Sequence, residues 1–178
     1  MGQKVNPIGF RTGVYLDWKA KWFARGEYGE QLLEDLSIRN FIDKRLKHAE
    51  IANVVIEKAG DAVRIVLFSG RPGIVIGKKG QEIDALRQEF AKLLNRQNVE
   101  VSVQEVKRPE LDATLVARSI ADQLTRRASY KKVMKRTAST TMRSGAKGIY
   151  IRCAGRIGGA EIARAEWVRM GSVPRHTL

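Results

Sequence analysis

Between positions 38 and 104 the spacing of the apolar residues changes repeatedly, and the order of these changes limits the folds open to the chain. From Ile38 onward, apolar residues recur three and four positions apart, which predicts an amphipathic helix. Residues 51–57 and 62–68 are rich in Val and Ile and flank a hairpin-like break at 58–61. We therefore expect two antiparallel strands after the helix.

A Gly-Lys-Lys-Gly turn at residues 77–80 comes next, directly after the apolar residues 74–76. A further amphipathic helix is predicted over residues 83–94, and residues 99–104 alternate between apolar and polar side chains, as a half-buried strand does. The order is helix, strand, strand, helix-turn-helix, strand. It predicts an α+β unit in which helices pack on a three-stranded sheet.

The chemistry of this turn suits a nucleotide backbone. Two glycines three positions apart allow the main chain to approach a ligand closely, and the two lysines between them can meet phosphate. The turn and the element order resemble the prokaryotic-type (type II) KH domain, whose glycine loop clamps about four backbone nucleotides. The resemblance implies that RNA is bound by Gly77, Lys78, Lys79 and Gly80.

The net charge indicates the kind of partner. Thirty-three Lys and Arg side chains against nineteen Asp and Glu give a formal charge of +14, which favours a polyanion. We exclude a membrane as the partner, because no run reaches the roughly eighteen apolar residues of a spanning helix. The N-terminus also lacks a signal-peptide core and a myristoylation signal. We predict a cytoplasmic chain.

No catalytic, metal or cofactor chemistry is indicated. Cys153 is the only cysteine, so an internal disulfide and a thiolate zinc cluster are both excluded, and we expect a small buried apolar residue there. His48 and His176 share no metal-ligand spacing. The glycine-containing segment before Lys79 is one residue too short for a Walker A motif, and this lysine stands where Ser or Thr would hold magnesium. We predict a protein that is not an enzyme and has no cofactor.

The stretch between Asp122 and Glu161 contains no acidic residue, although many basic residues lie in it. At about 100° per residue, a helix over 129–143 separates two kinds of side chain. One half is basic and includes Arg127, Lys131, Lys132, Lys135, Arg136 and Arg143. The other half carries Tyr130, Val133, Met134, Thr137 and Thr141. Because a stripe of one sign repels itself, it favours a compensating partner such as a phosphate backbone.

Pro109 marks a boundary, since it cannot donate to a strand ladder and biases the preceding residue away from helical angles. We predict an N-terminal extension over residues 1–37, a KH domain over 38–107 and a second α/β domain over 108–178. In the second domain we expect two helices against a sheet. Its predicted elements are helices from residue 111 and over 129–143, a strand over 149–154 and a short helix over 158–167.

Four long segments, residues 1–11, 71–80, 107–111 and 155–167, resemble a single family, and the likeness covers the whole chain. The chain resembles the third protein of the bacterial small ribosomal subunit. The resemblance implies a structural constituent of the subunit head that binds ribosomal RNA, lines the entrance for messenger RNA and assists its unwinding. It also implies the tenth and fourteenth small-subunit proteins as neighbours, and a ribosome-bound location in the cytoplasm or in an organelle.

In that family, basic residues of the second domain face the messenger, and the matching positions here are Lys131, Lys132 and Lys135. Many members have arginine at the first two. Because lysine lacks the planar fork that grips phosphate in two places, we expect weaker assistance to unwinding. The candidate RNA-binding residues in full are Gly77, Lys78, Lys79, Gly80, Arg126, Arg127, Lys131, Lys132, Lys135, Arg136, Arg143, Lys147, Arg156 and Arg164.

Several alternatives stay open from the sequence. Family members continue past residues 173–178 with further strands, so the second domain is expected to be incomplete, either as part of a fragment or as a shortened domain. A free-standing regulatory KH protein is the second functional hypothesis, although a single KH copy grips few nucleotides and argues against it. An RNA-processing enzyme is the third.

Overall fold

A computed structural model of the chain describes residue 3 and residues 5–177. The chain divides into two compact units. The first unit holds Arg11–Lys107, and the second combines residues up to Phe10 with residues from Arg108 onward. A short helix α1, Pro7–Arg11, lies near the N-terminus. No helix in the described part of the chain is long and apolar enough to cross a membrane.

The first unit is a four-stranded sheet with helices packed against it. Its elements in chain order are β1 Ala20–Lys21, α2 Tyr28–Arg45, β2 Ile51–Ala59, β3 Ala62–Ser69, α3 Pro72–Ile76, α4 Gln81–Leu94 and β4 Val99–Glu105. The sheet order is β1-β2-β3-β4, with β2 and β3 antiparallel and the two outer pairs parallel. The predicted order of helices and strands is confirmed, and β1 adds a fourth strand to the three that were predicted.

The core of this unit lies between the sheet and helices α2 and α4. Ile38 from α2 and Phe90 from α4 are fully buried against strand residues such as Ile65. Burying a side chain of this size contributes about 1.5–3 kcal/mol. Val75 is also fully buried, so it fixes the short helix α3 and thereby the glycine turn that follows.

Helix α2 begins at Tyr28, inside the segment for which the sequence indicated only an extension. Its first turns lack an apolar stripe, and Leu33 is 67% exposed, so the periodic pattern could not reveal them. A carboxylate holds these turns instead. Glu34 Oε2 accepts a hydrogen bond from Lys58 Nζ at 2.9 Å, and Glu34 Oε1 accepts one from Arg96 Nη2 at 3.2 Å. Both cations come from distant parts of the chain.

The second unit packs two helices on one face of a two-stranded antiparallel sheet. Its elements are α5 Ala113–Thr125, α6 Tyr130–Arg143, β5 Gly148–Gly155 and β6 Arg164–Gly171. Asp112 caps α5 by accepting hydrogen bonds from the backbone amides of Thr114 and Leu115 at 2.9 and 3.0 Å. Such a cap stabilises a helix by about 1 kcal/mol. The core is small and consists of Ile120, Val133, Met134, Ala138 and Ile151.

The short helix predicted over residues 158–167 is wrong. A 3-10 turn occupies Ile157–Gly159, and the chain then enters β6. Gly158 and Gly159 have φ angles of 71° and 81°, which a right-handed helix does not accept. Beyond them, pairing with β5 along the full length of β6 outweighs the helical preference of the alanines and glutamates in this segment.

Candidate nucleic-acid interface

Helix α6 divides into a packed side and an exposed side. Val133, Met134, Ala138 and Thr141 are buried against α5 and the sheet. Tyr130 packs beside them and is half-buried. The predicted packing half of this helix is therefore confirmed, and its regular apolar spacing explains why the segment is helical.

The exposed side, which we name the α6 cationic face, carries only basic charges. Its members are Lys131, Lys132, Lys135, Arg136 and Arg143. In the part of the chain that the structure describes, none of the five forms an ion pair with a carboxylate within 4.0 Å. Lys131 and Lys135 lie four residues apart, as do Lys132 and Arg136. Like charges at this spacing destabilise a helix by about 0.2–0.5 kcal/mol per pair, so an anion would relieve a repulsion that the fold leaves in place.

The connection from α5 to α6 ends α5 in a Schellman motif. The amide of Arg127 donates to the carbonyl of Leu124 at 2.9 Å, and the amide of Ala128 donates to the carbonyl of Gln123 at 3.1 Å. The motif requires a left-handed residue, usually glycine, and here Arg127 adopts it with a φ of 60°. A large, exposed basic side chain therefore stands at a position where the backbone geometry favours glycine.

Arg127 lines a groove of about 910 Å³ beside the α6 cationic face. Tyr130, Arg156 and the glycine-rich turn at residues 155–159 line the same groove. Arg156 Nε donates to the carbonyl of Ala160 at 2.9 Å, which fixes its guanidinium there. The structure therefore brings two candidate arginines, distant in sequence, to the rim of one groove.

The other candidates of the second unit are more dispersed. Arg164 Nη2 donates to Tyr130 Oη at 3.4 Å and Nε lies 3.6 Å from Glu166 Oε1, so part of its charge is compensated. Arg126 is exposed at the end of α5 and does not line the groove. Lys147 is exposed at the opposite end of β5 from Arg156, about 30 Å away along a strand of this length. Lys147 and Arg156 therefore do not form one compact site.

The glycine turn of the first unit links α3 to α4. Gly77 has φ 71° and ψ −174°, a conformation open to glycine, and a Cβ there would collide with the side chain of Glu82. Gly80 is left-handed and forms the N-cap of α4 without a side-chain hydrogen bond, and the amide of Gln81, the first residue of α4, donates to the carbonyl of Lys78. Lys78 is exposed. The side chain of Lys79 lies outside the described part of the structure.

Two residues beside the turn were not among the candidates. Ile74 and Ile76 are 48% and 40% exposed, although they flank the fully buried Val75. They present apolar surface next to a loop suited to phosphates. Their exposure could have been predicted from the sequence, because a five-residue helix can bury only one side of a continuous apolar run.

Partial burial affects the acidity of the single cysteine. Cys153 packs against the core of the second unit, as expected of a small apolar residue, but it is only half-buried. Burial raises the pKa of its thiol. Among the residues that the structure describes, no group of three or more His, Cys, Asp or Glu side chains could hold a metal ion.

Comparison with known proteins shows which family this chain belongs to. A KH domain model matches residues 37–111, and a model described as ribosomal protein S3, C-terminal domain, matches residues 120–178. The chain is 51% identical over 178 residues to the small ribosomal subunit protein uS3 of Citrifermentans bemidjiense, covering 100% of this chain and 84% of the relative. The chain belongs to the ribosomal protein S3 family.

Other relatives in the S3 family also match this chain over its whole length. The uS3 protein of Desulfatibacillum aliphaticivorans is 51% identical over 179 residues, with 100% of this chain and 81% of the relative covered. That of Thermodesulfovibrio yellowstonii is 49% identical over 178 residues, with 100% and 82% covered. The family resemblance predicted from the sequence is confirmed. The KH match contains the glycine turn, and the S3 match contains the α6 cationic face.

Proposed function

We propose that this chain is a structural protein of the small ribosomal subunit that binds ribosomal RNA and presents the α6 cationic face to messenger RNA at its entrance. Residues 38–107 would act as the KH RNA-binding domain, and residues 108–178 as the domain that faces the messenger. The observation that carries the proposal is an exposed helix side of five basic residues without carboxylate partners in the described structure, in a chain of the S3 family.

The α6 cationic face binds by charge and not by base identity. Its amines and guanidinium groups project from an exposed helix side, so they neutralise phosphates and release counterions. Binding of this kind accepts any messenger sequence, as a passage for all messengers requires. Phosphate also removes the like-charge repulsion along α6, so complex formation stabilises the helix.

Assistance to unwinding follows from the same charges. A messenger hairpin near the entrance exchanges between paired and unpaired forms. A fixed row of cations that contacts the unpaired strand lowers the free energy of that form and shifts the equilibrium toward it. Lys131 and Lys132 act as single charges where arginine would grip phosphate with two donors, so we expect the shift to be smaller than in members with arginine at these positions.

The glycine turn supplies the second RNA contact. Gly77 and Gly80 keep side chains out of the path of the backbone, and the amide nitrogen of Glu82 in the first turn of α4 lies beside Gly77. Lys78 adds a charge at the same place. We assign this contact to ribosomal RNA, with neighbouring head proteins, among them the tenth and fourteenth of the subunit, completing the surroundings.

A salt titration tests the α6 cationic face. If the face supplies six phosphate contacts together with Arg127, the affinity for a single-stranded oligonucleotide should fall with a log–log slope of about −4, and replacing Lys131, Lys132 and Lys135 by alanine should reduce the slope by about 2. A matched control removes three exposed lysines of the first unit. These are Lys44, Lys47 and Lys92.

The control variant loses the same net charge, so any general effect of charge on binding is equal in both proteins. A slope that falls equally in both would refute the α6 contact. In reconstituted small subunits, the α6 variant should slow translation of messengers with a hairpin ahead of the ribosome while leaving unstructured messengers unaffected. Equal rates on the two messengers would refute the assistance to unwinding.

A further inference from the structure

The two-stranded sheet of the second unit has a second face that takes no part in the core. Ile149, Ile151 and Cys153 of β5 point toward the helices and pack in the core. Alternation along a strand therefore sends Tyr150 and Arg152 to the opposite side. The register pairs Tyr150 with Arg169 and Arg152 with Trp167, so these four side chains form one patch, which we name the arginine–aromatic face.

The two aromatic rings of this face lie close together. The ring centroids of Tyr150 and Trp167 are 6.2 Å apart with an angle of 30° between the planes. The guanidinium of Arg175 lies 4.5 Å from the centroid of Tyr150, in a cation–π contact. A cleft of about 280 Å³ is lined by Tyr150, Trp167, Arg169, Val173 and Arg175.

Exposure and charge distinguish this face from an ordinary sheet surface. Trp167 is 63% exposed although it is the largest side chain of the unit. Arg152 and Arg169 are exposed beside it. No acidic residue of β5 or β6 points to this side, because Glu166 faces the helices opposite Cys153. The face therefore combines exposed aromatic surface with positive charge only.

We propose that the arginine–aromatic face is a base-stacking platform for an unpaired RNA segment. Aromatic side chains on an open sheet face stack bases, and flanking cations neutralise the phosphates between them. Trp167 offers the free ring surface, while Tyr150, with Arg175 against its ring, supports it from the side. The α6 cationic face lies on the other side of the sheet and lacks a comparable exposed ring. It therefore binds phosphates by charge, whereas the arginine–aromatic face binds bases by stacking.

The test compares two oligonucleotides with equal numbers of phosphates, a 12-nucleotide oligoadenylate and its abasic counterpart. Replacing Trp167 by alanine should weaken binding of the base-containing oligonucleotide about 5- to 150-fold, since stacking contributes about 1–3 kcal/mol per base. Binding of the abasic oligonucleotide should not change. Trp167→Phe should retain most of the affinity because it keeps a ring.

Trp18 provides a matched control. It is 64% exposed, close to the 63% of Trp167, but it lies in the first unit and outside any sheet. Trp18→Ala should leave both affinities unchanged. The lysine-to-alanine variant of the α6 cationic face should instead weaken both oligonucleotides alike. Failure of the stacking platform and failure of the proposed messenger contact therefore give different results.

A fluorescence measurement covers the case in which Trp167→Ala does not fold. In a variant with Trp18→Phe and Trp22→Phe, Trp167 is the remaining tryptophan, and the base-containing oligonucleotide should quench its emission while the abasic one does not. Quenching by neither, or equal quenching by both, would overturn the platform. So would a Trp167→Ala variant that binds both oligonucleotides normally but fails to retain a neighbouring protein in the assembled subunit, because the face would then belong to a protein contact.

Discussion

Replacing Arg127 by glycine should stabilise the second unit and weaken RNA binding at once. Arg127 holds the left-handed position of the Schellman motif with a φ of 60°, which costs an L-residue about 1–2 kcal/mol. Glycine removes that cost but adds about 0.5–1 kcal/mol through its greater freedom in the unfolded chain. The net gain is about 0.5–1 kcal/mol. For a domain of 60–100 residues this raises the melting temperature by about 2–8 °C.

The binding effect has the opposite sign. If Arg127 contacts one phosphate from the rim of its groove, its loss should reduce the log–log salt slope on single-stranded RNA by about 0.7. Differential scanning calorimetry measures the first effect, and fluorescence anisotropy at four or five salt concentrations measures the second. If Arg127 stands at a strained backbone position because its side chain binds RNA, then Arg127→Gly should both raise the melting temperature and reduce the salt slope.

Arg126 serves as the matched control. It is the next arginine and is equally exposed, but its φ of −78° is right-handed, so Arg126→Gly should lower the melting temperature. Arg127→Asn should keep most of the stability, because asparagine tolerates the left-handed region, and should lose the same RNA contact. A lower melting temperature for Arg127→Gly than for the unmodified chain, or an unchanged salt slope, would refute the reasoning.

Three further changes have defined outcomes. Lys132→Glu puts a carboxylate four residues before Arg136 and turns a repulsion into an attraction, so urea denaturation should show a gain of about 0.4–1 kcal/mol while RNA affinity falls; a loss of stability would contradict this. Burial acts to raise the pKa of Glu34, but the hydrogen bonds and positive charges of Lys58 and Arg96 together outweigh it and lower that pKa. A lowered pKa gives stability that is present above the unfolded pKa, about 4.3, and lost as pH falls through the folded one. Glu34→Gln should therefore cost about 2–3 kcal/mol at pH 7, since it leaves a buried ammonium without a carboxylate, and should flatten the acid limb of the stability profile; an unchanged acid limb would contradict it. Gly80→Asp should weaken RNA binding and Gly80→Asn should not, because both side chains tolerate the left-handed backbone and differ in charge; equal affinities of the two variants would argue against phosphate at the turn.

Local periodicity was enough to predict most of the first unit. These elements form because one of their sides is buried, and one-sided burial leaves a regular apolar pattern in the sequence. The pattern is visible in the spacing from Ile38, in the Val-rich runs and in the alternation from Val99. The same logic predicted which half of α6 packs. The domain bounds and the RNA contacts of the candidate residues remain predictions.

The misplaced elements are those that depend on partners distant in the sequence. Strand β1 has two residues and exists because the amide of Ile56 donates to the carbonyl of Lys19 at 3.0 Å. The first turns of α2 depend on Lys58 and Arg96. Strand β6 has a helical composition and is extended because β5 pairs with it. Since residues 158–167 were predicted as a helix, the arrangement of Trp167 beside Tyr150 could not be inferred from the sequence.

Helix α6 meets its own unit through small or apolar side chains, with Ala138 fully enclosed and Met134 1% exposed. The basic side chains on the exposed side of α6 contribute nothing to the packing of the core. Lysine can therefore be exchanged for arginine at Lys131 and Lys132, one position at a time, without repacking. If the proposed messenger contact holds, the four combinations of lysine and arginine at these two positions would give four ribosomes that differ only in how firmly they bind the incoming strand.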